Sequence, residues 1–348
     1  MEEMLHMWMG CEPCWAEAVL YPYAGARKAS RAPQREISRH GAGRPNKKNK
    51  KKYREESVYG ILEATRPEEL MSQIREPSVS GSFYPSNPDA LRADIEGYLA
   101  KAPVQDLAGD IRGLVSPHAG YMYSGPTAAY GYKALSGRHY DTVIIVAPSH
   151  QSFFVGAAVQ EAGGYRTPLG VVEIDEALAR ELAKSEDIVH VDPKMHRREH
   201  AIEVQIPFLQ CVLADFRIVP LIMGSAQDPR SSLELGDLIY DTIKNREGSC
   251  LILGSSDLSH YYAYGFAVEM DRAAVELLEK FDLEGMSREL VRGKYEACGA
   301  GAILATMDVC RMLGAAKSKV LHYENSGDVT GDRNEVVGYA SCVFYGGK

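Results

Sequence analysis

The sequence lacks the features of a membrane or secreted protein. No apolar run among its 348 residues approaches the roughly 18 residues needed to span a bilayer. The N-terminal stretch "MEEMLHMWMGCEPCW" begins acidic and has no basic start or long apolar stretch of a secretory signal. The seven cysteines, an odd number scattered along the chain, do not indicate a disulfide framework. We therefore expect a cytoplasmic protein. Cys11 and Cys14, which have CxxC spacing, are expected to be an incidental reduced pair.

Positive charge exceeds negative charge only near the N-terminus. The net charge is −8, yet residues 1–70 hold 13 basic and 10 acidic residues, and residues 27–54 carry twelve Lys or Arg against the single acid Glu36. No apolar periodicity accompanies these charges, so we interpret residues 1–70 as a basic, disordered N-terminal extension. Weak nucleic-acid binding through residues 27–54 is the alternative; the net charge of −11 over residues 71–348 argues against nucleic acid as the main partner there.

From Met71 onward, apolar runs of strand length alternate with helical patterns. The strand-like runs are 111–116, 141–147, 216–224 and 249–256, and the helical patterns are 88–102, 125–135, 175–185, 199–213 and 231–244. The C-terminal part adds helices near 269–280 and 299–313 and strands near 320–325 and 336–345. This alternation predicts one α/β domain over residues 71–348, with a mainly parallel central sheet covered by helices on both faces.

Polar residues follow three of these predicted strands at the point where each strand ends. "LVS" runs into "PHAGY" with His118, "VIIVA" into "PSHQS" with His150, and "LILGSS" into "DLSHYY" with Asp257 and His260. In open α/β sheets, ligands bind at the carboxyl ends of the strands. Imidazoles that meet there suit metal ligation and proton transfer near neutral pH. We therefore predict a shared functional site at this edge.

A second cluster lies in "HRREHAIEVQ". On the predicted helix, Glu199, His200 and Glu203 share one face, since positions three and four apart are neighbours. The segment from His196 to His200 also fits H-x-x-E-H, the inverted zinc-protease motif, which is a weak signal alone. A zinc hydrolase using His196, Glu199 and His200 is therefore one alternative.

A third element is "YEACGAGAILATM", in which Cys298 precedes two glycines at the start of a predicted helix. A helix N-terminus lowers a thiol pKa, which makes Cys298 a candidate thiolate ligand or nucleophile. Two histidines and one thiolate suit Zn²⁺, Fe²⁺ or copper, and the residues alone do not choose among these metals.

Seven motifs in this chain carry a family resemblance. "GSFYP", "PHAGYMYSGPTAAY", "APSH", "YRTPLG", "EHAIEVQIPFL", "SSDLSHY" and "CGAGAI" occur in this order across residues 76–345. Together they resemble the Memo family (mediator of cell motility), whose archaeal and bacterial members are called AmmeMemoRadiSam system protein B. The resemblance implies a fold similar to class III extradiol dioxygenases of the LigB type, which use non-haem Fe(II) to cleave catechol rings.

The resemblance also implies a metal site of two histidines and one cysteine. The histidine of "PHAGY" corresponds to His118, that of "PSH" to His150, and the cysteine of "CGAGAI" to Cys298. The metal is then expected to be Fe(II), with copper or zinc as alternatives. The dioxygenases have a carboxylate where this family has the cysteine, so a thiolate replaces the third member of the 2-His-1-carboxylate triad.

Four more residues resemble pocket residues of the family, with acid/base roles or roles in orienting the metal ligands. These residues are Glu199, His200, Asp257 and His260.

Several functions agree with these observations. The first is a non-haem-iron oxidoreductase of dioxygenase-like type, and the second is a non-enzymatic module that binds metal or a peptide in the same cleft. The zinc hydrolase is the third. For an archaeal or bacterial member, the resemblance further implies an AMMECR-type protein and a radical SAM enzyme as partners, an unknown small molecule or peptide in the cleft, and no membrane contact.

Overall fold

Residues 73–104 and 106–347 are described by the computed structural model of the protein. The predicted N-terminal extension 1–70, its basic stretch 27–54 and the Cys11–Cys14 pair lie outside these residues, and the boundary between extension and domain stays a prediction. In the described part, no helix is long and apolar enough to cross a membrane.

The described residues form strands and helices that alternate along much of the chain. The strands are β1 (Ile74–Arg75), β2 (Ile111–Ser116), β3 (Thr142–Pro148), β4 (Ala157–Val159), β5 (Gly164–Thr167), β6 (Gly170–Glu173), β7 (Val189–Val191), β8 (Arg217–Met223), β9 (Cys250–Ser255), β10 (His260–Tyr262), β11 (Lys317–Asn325) and β12 (Val336–Tyr345). The helices are α1 (Pro88–Lys101), α2 (Tyr121–Leu135), α3 (Glu176–Leu182), α4 (Pro193–His196), α5 (Ile206–Val212), α6 (Pro229–Ile243), α7 (Tyr264–Glu279), α8 (Leu283–Val291), α9 (Ala300–Met312) and α10 (Ser326–Thr330), and a 3₁₀ turn spans Glu203–Gln205.

The main sheet has the strand order β10-β12-β2-β9-β3-β8-β4-β7, with β11 also paired to β12. Its central strands β2, β9, β3 and β8 are parallel, as predicted. Both flanks bring antiparallel pairs, since β12 runs antiparallel to β2, β10 and β11, and β4 runs antiparallel to β8. The prediction of a mainly parallel sheet therefore holds for the centre, whereas the flanks are mixed, since β12 and β4 run antiparallel to their inner neighbours and β7 runs parallel to β4.

Helices cover both faces of this sheet. A Cβ on Gly113 of β2 would meet the side chains of Cys310 and Thr306 in α9. The next residue, Leu114, lies against Gly131 of α2. Successive strand residues point to opposite faces, so α9 and α2 pack on opposite sides. All seven residues of β3 are buried, as the continuous apolar run predicted.

The prediction of one helix over residues 199–213 is wrong for its first part. The chain is irregular at Glu199 and His200, makes the 3₁₀ turn, and enters α5 only at Ile206, with Pro207 in the first turn where a proline suits a helix start. Glu199, His200 and Glu203 therefore do not share a helical face. The apolar residues Ala201, Ile202 and Val204 are buried in the core although the backbone there is not an α-helix. Their burial explains the helix-like pattern in the sequence.

The small sheet β1-β5-β6 and helix α8 were not predicted. In this sheet, β1 pairs with β5 in parallel, so that Arg75 lies opposite Tyr165. Two-residue β1 is too short for its periodicity to be read from sequence.

Candidate metal centre

The carboxyl ends of three adjacent parallel strands form one polar cluster. His118, His150 and Asp257 each lie two residues beyond the end of β2, β3 and β9, and β9 runs between the other two strands. His260 follows at the start of β10. The structure thus brings the three strand-end residues together, because parallel neighbours deliver their final residues to the same edge of the sheet, and His260 lies close enough to His118 to affect its pKa.

Cys298 completes a group of three residues able to hold a metal. One ligand atom from each of His118, His150 and Cys298 lies within 4.8 Å of the others. The Sγ atom of Cys298 is 3.2 Å from Nε2 of His118. Metal–nitrogen and metal–sulfur bonds of usual length place two such ligand atoms roughly 3.1–3.6 Å apart. The distance between Cys298 Sγ and His118 Nε2 is therefore that expected for two ligands of one transition-metal ion.

Backbone groups hold Cys298 against the loop after β9. The N–H of Asp257 donates to Sγ of Cys298 at 3.3 Å, and the N–H of Cys298 donates to the carbonyl of Asp257 at 3.2 Å. Helix α9 starts only at Ala300, after Gly299. Burial raises the pKa of the Cys298 thiol above its ordinary value, even though its contact with His150 lowers it. The predicted lowering by the helix N-terminus is thus outweighed, and a bound cation is what would favour the thiolate.

His150 is held by the carboxylate of Glu199. Oε2 accepts the backbone N–H of His150 at 2.6 Å, and Oε1 lies 2.9 Å from its Nδ1. Burial works to raise the pKa of Glu199, but the contacts with His150 bring it down to about 2. Since an ionised carboxylate only accepts, Nδ1 of His150 donates and Nε2 is left for a metal.

A second group of metal-capable residues shares His150 and consists of His150, Glu199 and His200. Oε1 of Glu199 also accepts the backbone N–H groups of His200 and Ala201, at 2.8 and 3.0 Å. With the two contacts to His150, the carboxylate accepts four hydrogen bonds. Its oxygens are therefore already engaged by the protein, which makes Glu199 a support for His150 rather than a ligand.

His200 and His260 border the cluster as neutral imidazoles. The ring of His200 stacks on that of His150 with 4.6 Å between centroids. Burial lowers the pKa of His200 to about 4, and it lowers that of His260 to about 4. Burial likewise holds the pKa of His118 well below its ordinary value, with neighbouring histidines adding to the effect. Several imidazoles in one pocket cannot all be charged.

Asp257 contacts His118 through both of its carboxylate oxygens. Its Oδ1 accepts the backbone N–H of His118 at 2.8 Å, and its Oδ2 is 4.0 Å from Nε2 of the same residue. Burial raises the pKa of Asp257 to about 7, although the hydrogen bond from His118 lowers it. A carboxyl group with that pKa can both give and take a proton near neutral pH.

His196, the first histidine of the H-x-x-E-H motif, lies apart from this cluster. It is fully buried, its Nδ1 contacts the Tyr165 hydroxyl at 2.7 Å, and its Nε2 contacts the carbonyl of Ala158 at 3.2 Å. Both ring nitrogens are thus taken, and burial lowers its pKa to about 3. Helix α4 also ends at His196, so the motif lacks the continuous helix it requires. These contacts argue against the zinc-hydrolase alternative.

A buried ion pair that sequence reasoning did not find supports the loop around Glu199. The guanidinium of Arg75 pairs with Glu203 and donates to the carbonyls of Glu199 at 2.7 Å and His196 at 3.0 Å. Glu203 also accepts from Ser78 and from the Tyr84 hydroxyl. The only sequence signal was a pair of opposite charges 128 residues apart, which no local pattern connects.

The sheet has both parallel and antiparallel strands, helices cover its two faces, and a His-His-Cys cluster lies at the ends of its parallel strands. The protein is therefore an α/β protein with a candidate mononuclear metal centre. The family model described as Memo-like protein matches residues 75–343, and the chain belongs to the Memo-like family.

Curated relatives cover nearly the same region. The MEMO1 family proteins of Nitrosopumilus maritimus, Methanopyrus kandleri and Methanocaldococcus jannaschii are 37%, 38% and 39% identical to this chain. Each alignment covers 78% of this chain and 98–99% of the relative. A crystal structure of an uncharacterized protein from Escherichia coli K12 aligns with a TM-score of 0.44 at 12% identity, over 67% of this chain and 100% of the other, a likeness too distant to bear on function.

Proposed function

We propose that this protein binds a single divalent transition metal, Fe(II) in the first instance, through His118, His150 and Cys298, and uses it for oxidoreductase chemistry in a fold similar to LigB-type class III extradiol dioxygenases. The observation that carries the proposal is the convergence of three ligand atoms within 4.8 Å of one another.

The donor set fits such an ion. Both imidazoles have a fixed partner on Nδ1, Ser255 for His118 and Glu199 for His150, and this orientation from behind is usual for metal-ligating histidines. Two nitrogens and one soft sulfur suit Fe(II), Cu or Zn, and three protein ligands leave coordination positions open.

The surrounding residues supply proton handling and orientation. A bound Fe(II) ion would supply the electrons and a Lewis-acid position for substrate. Glu199 keeps His150 in place, and His200 and His260, neutral at pH 7, can each accept a proton from a bound molecule. The Asp257 carboxyl, with its pKa of about 7, can return one. These four residues are the proposed acid/base and orienting groups.

Metal analysis tests the centre. The full-length chain is reconstituted with Fe(II) without oxygen, desalted and assayed for iron, as wild type, His118→Ala and Cys298→Ala. The control is His322→Ala, a partly exposed histidine that stacks on Tyr130. We expect about one iron per wild-type and control chain and little in the two site variants. Equal iron in all four proteins would contradict the centre.

Oxygen uptake tests the redox role. The iron-loaded protein is supplied with a panel of catechols, and oxygen consumption above that of Cys298→Ala supports the oxidoreductase. Metal binding without uptake across the panel would favour the non-enzymatic metal- or peptide-binding module. An AMMECR-type protein and a radical SAM enzyme stay predicted partners.

A further inference from the structure

A line of buried polar side chains leads from His118 into the core. Its members are Ser255 at the end of β9, Gln205 in the 3₁₀ turn and Tyr132 in α2. The Tyr132 hydroxyl lies 2.5 Å from Oε1 of Gln205, and Nε2 of Gln205 lies 2.8 Å from the Ser255 hydroxyl. That hydroxyl lies 2.8 Å from Nδ1 of His118. We call these three residues the relay.

The carbonyl of Pro117 determines which way the Gln205 amide points. This carbonyl can only accept a hydrogen bond, and it lies 2.9 Å from Nε2 of Gln205. A flipped amide would place two acceptor oxygens at that distance, which is repulsive. Nε2 therefore faces Pro117, and Oε1 accepts from Tyr132. As a consequence, Gln205 presents an N–H, and not an oxygen, to Ser255.

The Ser255 hydroxyl then has only one way to satisfy its three contacts. A hydroxyl has one proton and two lone pairs. The carbonyl of Ala201, at 2.7 Å, can only accept and takes the proton. The N–H of Gln205 occupies one lone pair. The remaining partner, Nδ1 of His118, must therefore donate an N–H to the second lone pair.

We propose that Tyr132, Gln205 and Ser255 are positioning residues that hold His118 in the Nδ1–H tautomer and so direct the lone pair of its Nε2 toward Cys298 Sγ and a shared metal. The proposal rests on the proposed function, since it says how one ligand of that metal is prepared. All four side chains of this line are at most 2% exposed, so water does not compete for these contacts.

The relay differs in kind from the support of His150. Glu199 holds His150 with a negative charge, whereas the relay holds His118 with neutral groups, and the N–H groups of Gln205 and His118 both donate to the Ser255 hydroxyl. With Nδ1 occupied by a protein partner, each imidazole offers Nε2 to a metal. The metal would thus meet two histidines in the same tautomer, only one of them backed by a carboxylate.

The tautomer can be measured on the metal-free protein. Two-bond ¹H–¹⁵N correlation spectra of the full chain labelled with ¹⁵N-histidine separate protonated from bare ring nitrogens, and the signals missing from His118→Asn identify His118. We expect a protonated Nδ1 in wild type and a mixture of tautomers in Ser255→Ala. A wild-type His118 with its proton on Nε2, or an unchanged tautomer in Ser255→Ala, would overturn the relay.

Cobalt binding measures the consequence for the metal. Ser255→Ala is expected to weaken Co(II) binding about 10–100-fold, as outer-shell changes usually do, while the thiolate-to-Co(II) absorption band at saturation persists because Cys298 is intact. The matched control is Ser341→Ala, an equally buried strand serine whose hydroxyl has no hydrogen-bond partner among the described residues.

The two measurements separate this proposal from the proposed function. If Ser255→Ala binds Co(II) no more weakly than Ser341→Ala, the relay is wrong and the metal centre stands. If the wild type binds no Co(II), the metal centre is wrong, and the tautomer spectra then decide about the relay alone.

Discussion

The two groups of metal-capable residues share His150 and differ in which atoms remain free. In the group of His118, His150 and Cys298, a ring nitrogen of each histidine and the sulfur face one another, and their other contacts orient them. In the group of His150, Glu199 and His200, the carboxylate already accepts four hydrogen bonds from the protein. Proximity alone makes both look like metal sites. The hydrogen bonds already made distinguish the ligands from their support.

Removing one member from each group should give the largest contrast. Cys298→Ala is expected to weaken Co(II) binding by more than about 100-fold, because it deletes a ligand rather than a support. His200→Ala is expected to change it by only a few-fold. Competition with a chelating dye measures both. Equal losses in the two variants, or a greater loss for His200→Ala, would put the metal in the second group.

Removing the ion pair behind the second group should affect folding. Arg75→Met leaves the buried Glu203 carboxylate without its cation, which is expected to cost about 3–5 kcal/mol of unfolding free energy. Urea denaturation of the metal-free protein measures this. The control is Arg166→Met, which breaks a solvent-exposed pair with Glu76 and should cost at most about 1 kcal/mol. Similar costs in both variants would show that Arg75 does not support this loop.

Neutralising the support without removing it should have an intermediate effect. Glu199→Gln is expected to weaken Co(II) binding about 10–100-fold, because His150 loses an ionised partner while the metal keeps its three ligands. The thiolate-to-Co(II) band should stay. A complete loss of binding would mean that Glu199 is itself a ligand.

The effect of Glu199→Gln on the unfolding free energy of the metal-free protein should depend on pH. The Glu199 carboxyl has a pKa of about 2 in the fold against an ordinary 4.5, so its stabilising contribution is present above pH 4.5 and is lost as the pH falls toward 2. The difference in unfolding free energy between wild type and Glu199→Gln should therefore shrink between pH 5 and pH 3. A constant difference over this range would contradict the low pKa.

The smallest expected change in metal affinity is that caused by substituting His196. His196→Gln should leave Co(II) affinity unchanged and lower stability only, because both ring nitrogens of His196 already contact Tyr165 and Ala158. Loss of Co(II) binding in this variant would support the alternative in which the H-x-x-E-H motif binds the metal.

The strand-end part of the centre could be predicted from the sequence. His118, His150 and Asp257 follow continuous apolar runs, and the direction of parallel strands then places them at one edge. Cys298 was found through its glycine-flanked position and the family resemblance. The prediction of its thiol pKa failed because burial, which depends on the whole fold, outweighs the nearby helix.

The supporting groups could not be predicted in the same way. The apolar residues after Glu199 have helical spacing, yet the segment is not helical at Glu199. Its carboxylate accepts the backbone N–H groups of His200 and Ala201. Arg75 meets Glu203 across 128 residues, and Gln205 meets Ser255 across 50. Such contacts follow from tertiary packing, for which a single sequence has no periodic signal.

X-ray absorption of the zinc-loaded protein tests the central claim most directly. We predict one sulfur at about 2.3 Å from the metal and nitrogen ligands at about 2.0–2.1 Å, with the sulfur contribution absent in Cys298→Ala. A first shell of nitrogen and oxygen only, identical in wild type and Cys298→Ala, would contradict a centre built on His118, His150 and Cys298.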